Sequence, residues 1–233
     1  MSNPGSDSGE IAAVVLAAGA SRRFGSDKLL HPVTRHGVTL PLAAHSLLPW
    51  LYTFRHATVV VRPGAEAFCD AIEAALGVTK AAAICWEFCE DAAEGMAASL
   101  ACGVYANRAA AGWLIGLADM PAVPLAAIAG VRNALLGGAG LAAPACDGRR
   151  GHPVGFSARY LDELLSLQGD AGARSLLERD SAHVTHVHNC DDGIFTDIDL
   201  PGDLQCPGDD GDSLPRSCIL PSSDGRALHA TSA

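Results

Sequence analysis

The segment Ile11-Ala12-Ala13-Val14-Val15-Leu16-Ala17-Ala18-Gly19-Ala20-Ser21-Arg22-Arg23-Phe24-Gly25-Ser26-Asp27-Lys28 carries the most information in the chain. Its first part, 11–17, is an unbroken apolar run of strand length. Such a run is typical of a parallel strand covered on both faces. Its second part supplies Gly19, Ser21, Gly25, two arginines and a lysine. Glycines let backbone N–H groups approach an anion closely. Ser21 adds a hydroxyl donor, and Arg22, Arg23 and Lys28 add positive charge. The combination reads as a polyphosphate site. Neither G-x-x-x-x-G-K-[ST] nor G-x-G-x-x-G occurs, so it is neither a Walker A loop nor the dinucleotide fingerprint. The alternative is an ordinary charged connection between a strand and a helix.

Outward from this segment, strand and helix patterns alternate. Strands are expected at 57–61, 81–86, 113–118, 140–145 and 183–188, with a further, antiparallel one at 153–157. Helices are expected at 40–51, 65–76, 95–108, 124–136, 158–167 and 172–179. Alternating units imply an α/β fold with a mainly parallel sheet and helices on both faces. In such sheets ligands bind beyond the carboxyl ends of the strands. That rule singles out 18–28 and Asp119, which follows the apolar run 113–118.

Of the 233 residues, 49% are hydrophobic and 18% charged, enough to bury a core. The formal net charge is −10, which argues against sequence-independent nucleic-acid binding. No apolar run reaches the roughly 18 residues of a membrane span. The first residues lack the basic and apolar regions of a signal peptide, so a cytoplasmic location is expected. The expected organisation is a frayed stretch at 1–9, one domain over 10–205, and an acidic, disordered tail over 206–233. Eight cysteines occur without a C-x-x-C pair. They read as reduced thiols, mostly small buried hydrophobes. His183, His186 and His188 near Cys190 lack metal-site spacing and read as polar side chains of an edge strand.

The pattern L-A-A-G-x-S-x-R-x-G-x-x-K resembles the signature of the nucleotidyltransferases that build molybdenum-cofactor dinucleotides. Five further segments match that family in order. They are Glu94-Gly95-Met96 with Ser99-Leu100, Leu117-Ala118-Asp119-Met120-Pro121, Gly151-His152-Pro153-Val154, Gly169-Asp170-Ala171-Gly172-Ala173-Arg174, and Asp197-Ile198-Asp199-Leu200-Pro201-Gly202-Asp203-Leu204. Together the matches span about 11–204. The resemblance implies a Rossmann-like nucleotidyltransferase fold with about seven strands. It implies transfer of CMP from CTP to the terminal phosphate of molybdopterin or molybdenum cofactor, with pyrophosphate leaving. In that family Ala-Ala before the first glycine goes with CTP and Gly-Gly with GTP, so Ala17-Ala18 points to CTP. A receiving molybdoenzyme is an implied partner. Phe24, where Met is usual, and the long acidic tail depart from the pattern.

The resemblance also distributes roles. Leu16, Ala17, Ala18, Gly19, Ser21, Arg23, Gly25, Lys28, Glu94 and Gly95 are expected to bind the nucleotide. Arg23, Lys28 and Asp119 are the expected catalytic residues, with Arg22 facing solvent. Asp119 should hold Mg²⁺ at a strand end, with Asp199, or else Asp197, as second carboxylate. Gly151, His152, Pro153 and Arg174 are expected beside the acceptor, with Arg149 and Arg150 adding positive charge. Each has a plainer alternative: Asp119 as a turn residue before Pro121, His152 as a satisfied histidine beside a turn, and Gly169–Arg174 as a loop capped by Asp170. The rival functions are a relative using GTP or another phosphorylated acceptor, and a non-catalytic cofactor carrier. The carrier needs neither Asp119 nor Lys28.

Overall fold

A computed structural model describes residues 9–19 and 27–199. Ser21, Arg22, Arg23, Gly25, Asp203 and the tail expected over 206–233 lie outside the described residues.

β1 (Ile11–Leu16) is buried along its whole length, as its apolar run demands. It sits mid-sheet, parallel to β4 (Ala57–Val61) on one side and to β6 (Gly112–Leu117) on the other. β5 (Ile84–Phe88) extends the sheet from β4. Beyond β6 come β9 (Val154–Ser157), β7 (Leu141–Cys146) and β10 (Val184–His188). β9 is antiparallel to both neighbours, and β10 runs parallel to β7. The short β8 (Arg149–Arg150) turns back on β7 through Asp147 and Gly148, both at positive φ. Among the described residues the sheet therefore has eight strands, and β9 and β8 are the reversed ones.

Alternate residues of β1 serve two cores. Ile11, Ala13 and Val15 pack with Leu47 and Trp50 of α1 (Leu42–Thr53), Ile72 of α2 (Glu66–Leu76), and Ile128 and Val131 of α5 (Leu125–Leu136). Ala12, Val14 and Leu16 pack with Leu100 and Val104 of α4 (Met96–Ala106), Leu164 of α6 (Leu161–Leu165) and Leu176 of α7 (Arg174–Arg179). A strand with both faces covered by apolar side chains anchors the fold at about 25 cal/mol per Å² buried. Among the described residues no helix is long and apolar enough to cross a membrane.

Several boundaries differ from the expected ones. A two-stranded ribbon, β2 (Pro32–Arg35) and β3 (Val38–Pro41), precedes α1 and takes Leu40 and Pro41 from the helix. Its turn is His36-Gly37, both at positive φ, the geometry that closes a two-residue hairpin. The strand expected at 81–86 starts at Ile84, because α3 (Val78–Ala81) continues the helical stretch. The helix expected at 158–167 is a 3-10 turn at 158–160 followed by the short α6.

The expectation of reduced thiols fails at one pair. Cys146 and Cys190 form a disulfide, with Cα atoms 4.8 Å apart. The β7–β10 register, which sets His188 opposite Ala145, brings them together. Among the described residues Cys69, Cys85, Cys89 and Cys102 are free and buried or half-buried.

Candidate active site

The carboxyl ends of β1 and β6 lie side by side. Ala118 donates its N–H to the carbonyl of Leu16 at 3.0 Å, and Ala17 donates to Val60 at 2.8 Å. Ala17 and Ala18 are buried there, and Gly19 is exposed, with open space around it. Asp119 leaves β6 two residues beyond its last strand residue, so its carboxylate stands where β1 ends.

Lys28 opens a 3-10 turn capped by the Asp27 carboxylate, which accepts the N–H of Leu29 at 3.3 Å. Asp27 is itself steadied by Arg62 at 3.4 Å. The Lys28 ammonium donates to Asp119 Oδ2 at 2.9 Å and to Asp199 Oδ1 at 3.2 Å. Burial alone would lower its pKa. The charges and hydrogen bonds of Asp119, then of Asp199, outweigh burial and hold it above the usual 10.5. Lys28 is thus a fixed cation at neutral pH. Asp119 Oδ1 is buried and meets no hydrogen-bond donor among the described residues.

Asp199 arrives on a segment that crosses this edge from β10. Gly193 packs on the carbonyl of Ala122. Ile194 is fully buried, and its carbonyl accepts the N–H of His152 at 2.8 Å. Ile198 donates its N–H to the carbonyl of Asp119 at 3.0 Å. Gly151 is required by this crossing, because a Cβ there would strike the carbonyl of Ile194 and lie 2.6 Å from its Cγ1. His152 is half-buried, with its Nδ1 buried and unpartnered among the described residues. Burial lowers its pKa below 6.5 against the opposing pull of Asp119 and Asp197. The ring is neutral at pH 7. The His152–Pro153 peptide is cis.

The Glu94-Gly95 segment meets the loop at 169–170. Gly95 has φ 123°, and a Cβ there would lie 2.5 Å from Asp170 Oδ1 and 2.8 Å from the Gly169 carbonyl. That carbonyl accepts the N–H of Ala97 at 3.0 Å. Glu94 is exposed on the rim of an open groove of about 740 Å³, lined also by Asp91, Ala98, Cys102 and Leu165.

The structure therefore brings Leu16, Ala17, Ala18, Lys28, Asp119, Asp199, Gly151 and His152 to one edge. Other expected placements differ. Arg174 is exposed and paired with Glu178 one helical turn away, at 2.8 Å. Arg150 donates to the carbonyl of Leu177, and Arg149 stacks over Phe195 at 4.2 Å. Both partners are uncharged, so both arginines keep their positive charge, and Arg149 is exposed. His186 and His188 are exposed on the edge strand β10, as read from the sequence. The sequence reading missed Ile194 and Ile198, whose contributions are backbone atoms and leave no side-chain motif.

The MobA-like NTP transferase domain matches residues 13–186. No curated protein is detectably similar in sequence. Among solved structures, Rv0371c from Mycobacterium tuberculosis H37Rv is 25% identical with a TM-score of 0.63, covering 83% of this chain and 95% of that one. Rv0371C in complex with manganese, from the same organism, is 23% identical with a TM-score of 0.57, covering 78% and 89%. Molybdopterin-guanine dinucleotide biosynthesis protein A from Archaeoglobus fulgidus is 17% identical with a TM-score of 0.58, covering 83% and 95%.

Proposed function

The chain belongs to the MobA-like NTP transferase domain family, and from that membership we propose that it moves CMP from CTP to the terminal phosphate of molybdopterin or molybdenum cofactor. The acceptor phosphate oxygen attacks the α-phosphorus, a P–O bond forms, and pyrophosphate departs as the bond to the β-phosphate breaks. The work of the protein is to position two anions and neutralise their charge. The observation that carries the reading is the Lys28 ammonium held between Asp119 and Asp199 beside Ala17-Ala18-Gly19.

Lys28 keeps its charge at pH 7 and serves the triphosphate, together with Arg23, Ser21 and the N–H groups of Gly19 and Gly25. Asp119 and Asp199 fit a Mg²⁺ ion. Their oxygens are hard, Mg²⁺ asks for only one or two protein carboxylates, and Asp119 Oδ1 meets no donor among the described residues. Mg²⁺ bound there supplies charge neutralisation on phosphate oxygens. His152, neutral and half-buried, orients the acceptor by hydrogen bonding and carries no fixed charge, while Gly151 and Pro153 shape its approach. Arg174 reaches the acceptor only by giving up Glu178. The small side chains of Ala17-Ala18, with Glu94 and Gly95, select cytosine. A receiving molybdoenzyme takes the product in the cytoplasm.

The test is pyrophosphate release from purified protein with molybdopterin and Mg²⁺, with CTP, GTP, ATP and UTP compared. Release with CTP alone supports the reading. Release with GTP moves the base assignment and keeps the chemistry. Pterin binding without any release leaves a carrier.

A further inference from the structure

The stretch from Cys190 to Asp199 forms one lip of the site, and a covalent bond fixes its upstream end. Cys146 is the last residue of β7, and Cys190 stands two residues beyond β10. Downstream, the lip is held by the Ile194 carbonyl on His152, the Ile198 N–H on Asp119, the two buried isoleucines and the reach of Asp199 to Lys28. These downstream contacts between described residues are non-covalent, and Asp199 is half exposed at its far end.

We propose that the Cys146–Cys190 disulfide is a reversible redox strap that decides whether the lip, and with it Asp199, is held at the site. The control of transfer that follows rests on the transferase reading above. The bond is open to attack, because Cys190 is exposed and Cys146 only partly buried. The imidazole of His188 lies 3.9 Å from the Cys190 sulfur. The reductant is a dithiol. Its first thiolate attacks the Cys190 sulfur, the S–S bond breaks, and Cys146 leaves as a thiolate that takes up a proton. The second thiolate of the reductant then attacks the mixed disulfide and releases Cys190, which is protonated in turn. The protein gains two electrons and two protons, and the dithiol becomes a disulfide. The neighbouring free cysteines are poor rivals. Burial pushes Cys69 up to about 11 and raises Cys85, Cys89 and Cys102 as well, so few of these thiols ionise at neutral pH.

The test compares the full chain oxidised, reduced with a dithiol, and reoxidised, with the state of Cys146 and Cys190 checked by alkylation mapping. Hydrogen exchange at the amides of His152 and Ile198 should speed up by about tenfold or more on reduction, as expected for local opening. Mg²⁺ affinity, read by calorimetry without any substrate, should fall by about tenfold as the second carboxylate is lost. Both should return on reoxidation. Cys190→Ser and Cys146→Ser should sit at the reduced values and ignore the reductant. Equal exchange and equal Mg²⁺ affinity in the two states of the wild-type protein overturn the strap, whether or not the variants fold. A difference in both that is accompanied by no pyrophosphate release in either state upholds the strap and sinks the transferase reading.

Discussion

Replacing Lys28 with methionine keeps the stem and removes the ammonium, leaving Asp119 and Asp199 facing each other. A hydrogen bond to a charged group contributes about 1.5–3 kcal/mol when shielded from water. The Asp119 side chain is 24% exposed, so its contact at 2.9 Å belongs near the low end of that range. Asp199 is 49% exposed, and its contact at 3.2 Å is screened to the value of a surface pair, about 0.5 kcal/mol. Adding the repulsion between the two carboxylates, Lys28→Met should cost about 2–3 kcal/mol. For a domain of this size that is a fall in Tm of about 5–10 °C. The methionine variant should also gain more from millimolar Mg²⁺ than the wild type does, because a divalent cation replaces the lost charge between the same oxygens. Scanning fluorimetry with and without Mg²⁺ measures both effects. A variant that melts with the wild type and shows the same Mg²⁺ response would refute the claim that the ammonium holds the carboxylates together. Pyrophosphate release should fall by about 10²–10³-fold, the usual scale for losing one charge-stabilising group.

Asp119→Asn should abolish the Mg²⁺-induced rise in Tm while leaving the fold intact by circular dichroism. Gly151→Ala should cost about 1–3 kcal/mol of overpacking, measured by urea titration, and should lower transfer by lifting Ile194 off His152. Stability should fall as pH drops below 6.5, because the unfolded histidines take up protons that His152 and His45, both lowered by burial, refuse. Denaturant midpoints between pH 7 and about 5 should show that slope, and His152→Gln should flatten it. Cys190→Ser opens a closure across 44 positions and should cost about 2–4 kcal/mol, read from the same midpoints.

The strands that carry the site were legible because burial on both faces leaves an unbroken apolar run, as in β1, β4 and β6. The strand-end rule then located Lys28 and Asp119 without any knowledge of packing. The β2–β3 ribbon escaped because its turn is His36-Gly37 instead of the commoner Asn-Gly, although Val33-Thr34 and Val38-Thr39 alternate as strands do. The start of β5 was misplaced because Ala81, Ala82 and Ala83 extend the strand's apolar run, although alanine itself favours helix. The disulfide was illegible in principle. Cysteines 44 positions apart meet only through the pairing of β7 with β10, which is a property of the sheet. The same holds for Lys28: its charge suggested phosphate, and only the assembled fold shows two carboxylates already on it.

The reversal of β9 has a structural economy of its own. In a wholly parallel sheet each strand offers the ligand edge only its outgoing connection, and each such connection is tied to a helix that must pack. Here the exit from β7 and the entry to β9 are one continuous piece, 147–153, with no helix inside it. Its turn, Asp147-Gly148, can change while both core layers keep their packing, whereas Arg150, Gly151 and His152 are tied to Leu177, Pro144 and Ile194. On the proposed transfer reading, that turn is the part of the acceptor side free to vary, and exchanging it between relatives tests whether it alters acceptor choice.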